Sequence, residues 1–332
     1  MSAETAADQP IEQPAAPTSQ PAPPDAAEET FRATVVILSY HSEQFLEGCL
    51  EALGRSRGVE LEIVCVDNAS PDRSHEIAQK HPLVAKAIRS EQNLGFSGGN
   101  NLGWREGTAP YVVLINPDCR VQPDALRNLL APLRDEPEVA IVGARLLYPN
   151  TNTLQHAGGI LHPNGMCEHF GVDRPDGAPW DKDRDVEYVT GALIAFRRGD
   201  LEDLGGLDED YWPAYYEETD LCYRVRRQGR KVRYAAGAVA YHYESPALEK
   251  RSARLVRTSY RSRIRFIVKN YGVVEFCRDF LPFEVRWFFG RFARGYRWQT
   301  VRSYLSGVLF ALRCVARLSR RPRQPPREKL RR

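Results

Sequence analysis

Four apolar segments that alternate with helical segments constrain the fold of this chain more than any other feature. The segments span residues 34–40, 62–70, 111–119 and 139–147, and β-branched and aliphatic residues dominate each of them. Such runs are typical of strands that are buried on both faces of a sheet. Because the residues after the first run have helical spacing, the sequence predicts an α/β fold with a mostly parallel, Rossmann-like sheet flanked by helices.

Polar side chains stand at the ends of three of these predicted strands. They are Ser39, Asp67, Asn68, Asn116 and Asp118. In open α/β sheets, ligands bind beyond the carboxyl ends of the strands. Chains also turn at these points, so a ligand site and ordinary turns are both open for each residue taken alone.

Residues 93–103, NLGFSGGNNLG, form a glycine-rich segment that is neither a P-loop nor a dinucleotide-binding fingerprint. Its glycines permit a ligand to approach the backbone, and its asparagines can supply amide contacts.

Asp118 follows a strand and an Asn-Pro step. A single carboxylate suits a divalent cation that is shared with a nucleotide diphosphate, rather than one held by protein alone.

An acidic cluster of Glu217, Glu218 and Asp220 follows a run of aromatic residues. It is either a solvated helix start or a group of carboxylates that does chemistry at the edge of a pocket. By contrast, three histidines in the Gly/Pro-rich stretch 150–187 fit no zinc spacing and are interpreted as loop residues.

Both ends of the chain differ in composition from its middle. Residues 1–30 are Ala/Pro-rich and predict a disordered tail. From residue 250 onward there are 23 Lys/Arg and 4 Asp/Glu, a net charge of +19, so residues 1–249 carry −16 of the total of +3. Residues 251–320 predict a basic, amphipathic helical extension, and 321–332 predict a disordered basic tail.

The basic extension has two interpretations. Aromatic residues among arginines suggest helices that lie on an anionic membrane surface, whereas packing on the body of the protein is the alternative. Nucleic acid is not expected as a partner, because no recognition motif is present. Seven cysteines without a CxxC pair favour a reducing compartment. With no secretory signal and no long apolar run, we expect a cytoplasmic protein, peripheral at the inner face of the membrane.

Nine segments in order resemble glycosyltransferase family 2, and the likeness is greatest to bacterial rhamnosyltransferase-type members with GT-A architecture. They are VVILSYH, VDNASPD, NLGFSGGNNLG, LINPDC, LQHAGG, TGALIAFRR, GGLDEDY, YYEETDLCYR and AVAYH. The resemblance covers residues 34–271. It implies that residues 31–250 form a GT-A glycosyltransferase domain.

The resemblance also implies roles for individual residues. Asp67 would contact the nucleotide base, and the Gly-Asn segment would border the nucleotide sugar. The full set implied to bind the donor is Ser39, Tyr40, Asp67, Asn68, Gly95, Gly99, Asn100 and Asn116. The metal, Mg²⁺ or Mn²⁺, would be held by Asp118 and His242, although Asn116 stands where the family pattern has a first carboxylate.

Glu218 occupies the position of the family's general base, which is usually Asp, and Glu217 is its undecided neighbour. Asp220 is expected to favour the first helical turn. Trp212, Tyr215 and Tyr216 are expected to form acceptor-side walls. The implied activity is an inverting transfer, with dTDP-rhamnose as the expected donor and a glycan or lipid-linked acceptor of the cell envelope. A non-catalytic nucleotide-sugar-binding or glycan-binding member and a nucleotidyltransferase are the alternatives.

Overall fold

The computed structural model describes residues 30–243 and 253–293. Its strands are β1 (Phe31–Ser39), β2 (Val59–Asp67), β3 (Val84–Arg89), β4 (Tyr111–Ile115), β5 (Cys119–Val121), β6 (Val139–Leu147), β7 (Leu154–His156), β8 (Gly159–Leu161), β9 (Cys167–His169), β10 (Arg184–Val186), β11 (Leu193–Arg197) and β12 (Lys231–His242). Its α-helices are α1 (Glu43–Gly54), α2 (Ser74–Lys80), α3 (Gly95–Arg105), α4 (Ala125–Asp135), α5 (Arg198–Asp203), α6 (Glu217–Arg227), α7 (Ala253–Asn270), α8 (Val273–Glu275) and α9 (Leu281–Ala293). A 3₁₀ turn spans Glu209–Tyr211 and a π-helical turn spans Phe276–Phe280.

The main sheet has the order β10-β12-β6-β11-β4-β1-β2-β3, with β5 and β7 paired off this path. Strands β3, β2, β1 and β4 run parallel, as do β6 and β12. Side chains of β1 alternate between two cores, since Val35 and Ile37 pack with α1 and α4 while Val36 packs with Trp104 of α3. This two-sided burial confirms the predicted α/β fold with helices on both faces.

Two strands give the second half of the sheet its special geometry. β11 runs antiparallel between β4 and β6, which brings the residues before it to the carboxyl end of β4. The last residues of the long β12 pair parallel with β6 on one side and antiparallel with β5 on the other, where His242 lies opposite Cys119. This pairing places the end of β12 beside Asp118.

Helix α7 packs against the body of the protein rather than standing apart from it. Phe266 and Ile267 join a core cluster with Tyr211 and Tyr216. Arg263 is buried and makes a bidentate ion pair with Glu284 of α9, at 2.8 and 2.5 Å. Helix α7 therefore packs on the body of the protein, as the second interpretation of the basic extension expected, and Arg263 takes part in this packing instead of facing solvent.

Several predictions concern residues outside the two described ranges. They are the disordered tails, the domain boundary at residue 250, and the amphipathic stretch with Leu305, Val308, Leu309, Leu312 and Val315. Within residues 30–243 and 253–293, no helix is both long and apolar enough to cross a membrane.

Candidate active site

The carboxyl ends of β1 and β2 form one edge of the site. Ser39 and Asp67 are register partners there, and both side chains are buried. One Asp67 oxygen, Oδ2, lies 3.3 Å from the Ser70 amide and 3.5 Å from Nε of Arg89, at the end of β3. The other, Oδ1, has no hydrogen-bond partner among the described residues. This oxygen is free to accept from a ligand, while Tyr40 is exposed next to it in sequence.

Asn68 ties this edge to the glycine-rich segment. Its Oδ1 accepts from the Leu94 amide at 2.7 Å, and its Nδ2 donates to the Gly95 carbonyl at 3.2 Å. Gly95 has φ +74, and a Cβ there would lie 2.7 Å from Cδ1 of Trp212. The next amide, that of Phe96, donates to the Pro213 carbonyl at 2.8 Å. Asn68 thus fixes the start of α3 against the loop that precedes α6.

Gly99 and Asn100 serve packing. A Cβ on Gly99 would overlap the Leu38 side chain, so the close approach of α3 to β1 requires a glycine there, and contact of Gly99 with a donor stays a prediction. Asn100 is buried, and its Nδ2 donates to the Phe96 carbonyl at 3.0 Å. Contact of Asn100 with a donor stays a prediction.

The loop after β4 and the end of β12 bring Asp118 and His242 together. Nε2 of His242 lies 3.2 Å from Oδ1 of Asp118, and Nδ1 of the same ring lies 2.6 Å from Oε1 of Gln155. Oε1 of Gln155 can accept only from a protonated Nδ1, and in that tautomer Nε2 presents a lone pair to the Asp118 carboxylate. Two electron-rich atoms at this separation fit a shared cation, which meets the chemical requirement for Mg²⁺ or Mn²⁺.

Cys119 lies within the same cluster but does not fit a ligand role. Asp118, Cys119 and His242 have potential ligand atoms within 4.8 Å of one another. Burial raises the pKa of the Cys119 thiol well above its usual range, and its Sγ donates to the Ala192 carbonyl at 3.4 Å. Mg²⁺ and Mn²⁺ prefer oxygen and imidazole ligands to thiolates, so Asp118 and His242 are the candidate ligands of this cluster.

Residues 190–192, just before β11, connect this pair to the acidic cluster. The Ala192 carbonyl accepts from the Asn116 amide at 2.9 Å, on the Asp118 loop. A Cβ on Gly191 would lie 3.9 Å from Cβ of Glu218. Residues 190–192 therefore adjoin Glu218 on one side and the Asp118 loop on the other, and no motif in the sequence indicates this arrangement.

Helix α6 begins in an unusual way. Tyr215 and Tyr216 both have left-handed backbone conformations, with φ of 79 and 74. For bulky residues this costs on the order of 1–3 kcal/mol each, and such strain is concentrated at functional sites. The turn directs Glu217 and Glu218 inward at the helix N-terminus rather than into solvent.

The two glutamates have perturbed acidity for the same physical reason. Burial raises the pKa of the Glu218 carboxyl to about 7. Burial and the neighbouring Glu218 raise the pKa of Glu217 well above its usual range, and Oε2 of Glu217 has no hydrogen-bond partner among the described residues. A carboxyl group that titrates near neutral pH is suited to accept a proton from a substrate.

Asp220 has a structural role, as expected, but a larger one than helix capping. It is fully buried, and its carboxylate accepts from Tyr211, Arg224, Lys269 and Asn270 at 2.7–3.1 Å. Two of these donors belong to α7. Helix α7 thus holds the first turn of α6 in place, and nothing in the local sequence around Asp220 could have indicated this.

The aromatic residues before α6 divide into two groups. Trp212 is 52% exposed and packs on Gly95, so it is available to a ligand, and Tyr215 is half-buried. Tyr216 is buried against Phe266, and its hydroxyl donates to the Gly165 carbonyl at 2.7 Å. Its ring packs on α7 and its hydroxyl bonds the turn between β8 and β9, so this burial corrects the prediction that Tyr216 is an acceptor-side wall.

The mostly parallel sheet, with its polar edge, defines a GT-A type of nucleotide-binding fold. Solved structures agree at the level of fold. GalNAc-T7 with UDP, GalNAc and Mn²⁺ has a TM-score of 0.58 at 15% identity, covering 72% of this chain and 48% of that one. The mannosyltransferase PcManGT of Pyrobaculum calidifontis, in complex with GDP-Man and Mn²⁺, has a TM-score of 0.52 at 17% identity, covering 89% and 77%.

The family model for glycosyl transferase family 2 matches residues 34–205, and the chain belongs to that family. It is 26% identical over 247 residues to the low-salt glycan biosynthesis hexosyltransferase Agl10 of Haloferax volcanii, covering 71% of this chain and 75% of that protein. It is 24% identical over 262 residues to an N-acetylglucosaminyl-diphospho-decaprenol L-rhamnosyltransferase of Mycobacterium tuberculosis, covering 72% and 84%. The chain spans only 28% of protein y4gI of Sinorhizobium fredii, to which it is 26% identical over 262 residues, or 75% of this chain.

Proposed function

We propose that this protein is an inverting glycosyltransferase that moves a sugar from a nucleotide-diphosphate donor to an acceptor hydroxyl. The observation that carries the proposal is that residues 190–192 adjoin both Glu218 and the loop with Asp118, whose carboxylate lies 3.2 Å from His242. The match to the family model ends at residue 205. The roles of Glu218 and His242 therefore depend on their geometry in this chain.

Glu218 is the proposed base. Its carboxyl group lies in the first turn of α6. Its pKa of about 7 allows the group to be ionised at neutral pH while it remains basic enough to take a proton. Direct attack by the deprotonated acceptor hydroxyl on the anomeric carbon inverts its configuration. Glu217, which is more deeply buried, is proposed to hold the geometry of the pair or to accept a hydrogen bond from the acceptor.

Asp118 and His242 are the residues proposed to hold Mg²⁺ or Mn²⁺. When bound, the metal would act as a Lewis acid that stabilises charge on the departing diphosphate. Two solved structures with this fold, GalNAc-T7 and PcManGT, were determined with Mn²⁺ together with UDP or GDP-Man, which supports the assignment. Asp67 and Ser39, at the adjoining strand ends, are proposed to bind the nucleotide.

Rhamnose from dTDP-rhamnose is the proposed donor sugar, and a glycan or lipid-linked precursor of the cell envelope is the proposed acceptor. The rhamnosyltransferase name of the mycobacterial relative and the glycan-biosynthesis name of the Haloferax relative support these choices. The structure itself favours no one sugar. The donor is therefore the first thing to establish by experiment.

The test is a panel of nucleotide sugars incubated with full-length protein and Mn²⁺, with and without EDTA. Slow, metal-dependent release of a nucleoside diphosphate from one donor supports glycosyl transfer, and Glu218→Gln should abolish it. Pyrophosphate release would indicate a nucleotidyltransferase instead. Binding of a donor, seen as a raised melting temperature, without any release even when acceptors are supplied would indicate a non-catalytic binding protein.

The exposed face of the C-terminal helices is proposed to lie on an anionic membrane surface near the acceptor. Leu281, Val285 and Phe289 of α9 recur every four residues and are 46%, 46% and 64% exposed. Val273 and Val274 of α8 are 82% and 70% exposed. An apolar stripe next to a chain segment with a net charge of +19 from residue 250 onward suits such a surface, which corresponds to the inner face of the membrane.

A further inference from the structure

Gln155 is a buried residue that the sequence did not single out as a candidate. Strand β7 pairs with β6 through Leu146 opposite His156 and Leu147 opposite Leu154. Gln155 is therefore an extra residue without a counterpart on β6, which makes it the centre of a β-bulge. Bulges redirect a side chain, and they occur often beside active sites.

The bulge directs the side chain of Gln155 toward His242, the last residue of β12. Its Oε1 lies 2.6 Å from Nδ1 of His242, and the Gln155 side chain is 7% exposed. Its Nε2 is buried and has no hydrogen-bond partner among the described residues. An unpaired buried amide destabilises the fold, so an apolar residue would serve stability better here.

We propose that Gln155 is a positioning residue that fixes the proton of His242 on Nδ1 and turns Nε2 toward Asp118. A histidine that binds metal through one nitrogen is held by a hydrogen-bond acceptor at the other, and this acceptor sets both the tautomer and the ring orientation. Gln155 supplies such an acceptor from a different strand. The inference rests on the proposed function, since it assigns Gln155 to the same metal pair.

Gln155→Met is the informative substitution, because it keeps the side-chain length and removes the acceptor. We expect Mn²⁺ affinity, measured by electron paramagnetic resonance on the full-length protein without nucleotide, to fall by roughly 10-fold to 100-fold. The melting temperature should stay the same or rise, which a purely structural role would not allow. Gln155→Glu keeps an acceptor oxygen and should stay within a few-fold of wild type. In a His242→Ala background, Gln155→Met should have no further effect.

A second measurement does not depend on metal. In ¹⁵N NMR of the metal-free protein, with His242→Ala used to assign the signal, His242 should be protonated on Nδ1 in wild type and lose this preference in Gln155→Met. Unchanged Mn²⁺ affinity and an unchanged tautomer in Gln155→Met would overturn the inference and leave the metal site intact. If wild type binds no Mn²⁺, the metal part of the proposed function fails, and the tautomer comparison still decides whether Gln155 positions His242.

Discussion

Glu218→Gln tests the acid-base chemistry and the energetics of the site together. The carboxamide keeps the shape of the side chain but cannot take up a proton. Loss of general-base catalysis should reduce turnover by roughly 10²–10⁴-fold, while donor binding remains close to that of wild type. In wild type, kcat/KM should rise with pH and level off above about 7, because the base must be ionised.

The same substitution should stabilise the fold, and the size of the effect follows from the pKa. The pKa of Glu218 rises from 4.5 to about 7 on folding, so the folded state holds its proton more tightly than the unfolded state. Wild type therefore loses stability as the pH rises from about 4.5 through 7, whereas the variant has no such loss. The gain should be about 1 kcal/mol at pH 5 and about 3 kcal/mol at pH 8.

Urea unfolding of both proteins at pH 5 and pH 8 measures this difference, and initial rates of nucleoside diphosphate release measure turnover. Glu51→Gln, at an exposed position on α1, is the matched control and should change neither quantity. Turnover within tenfold of wild type would remove Glu218 from the role of base. An equal stability difference at both pH values would show that its carboxyl group is not held protonated by burial.

Three further predictions concern the metal pair, the α7 contact and the apolar stripe. Asp118→Asn should abolish metal-dependent turnover while nucleotide binding in EDTA, followed by thermal shift, is retained. Lys269→Met removes a donor that lies 2.7 Å from Asp220 and 2.8 Å from Asp208, and should lower the free energy of unfolding in urea by about 1–3 kcal/mol. Phe289→Ser should weaken sedimentation with anionic phosphatidylglycerol vesicles and leave transfer to a short soluble acceptor unchanged. Equal sedimentation of the variant and wild type would refute the membrane assignment.

Alternation of apolar runs with helical spacing was sufficient to predict the sheet and its helices, because fully buried strands have a distinct composition. β3 was missed since most of its residues are partly or fully exposed and it has no apolar run. The antiparallel insertion of β11 could not be predicted either. Strand direction depends on how the chain returns through the sheet, and a five-residue strand contains no information about it.

The candidate site likewise contains residues that the sequence singled out and residues that it did not. Asp118, His242 and Glu218 were proposed from their order along the chain, because the resemblance implies a role at each position. It implied none for Arg89, and none for Gln155 although this residue lies within the segment LQHAGG. Both act through partners far away in sequence, Asp67 and His242.

The burial of charged residues in α7 explains how the site can tolerate Glu217 and Glu218. The acid pair and the two left-handed tyrosines before it both oppose folding. On the other side of α6, Lys269 and Asn270 of α7 donate hydrogen bonds to the buried Asp220. Without such partners, a carboxylate buried there would be destabilising. Burial alone would raise the pKa of Asp208. The charges of Lys269 and Arg265 outweigh this effect and hold that pKa at about 2. Because these contacts fix the first turn of α6, helix α7, which lies beyond the family match, supports the turn that holds the proposed base.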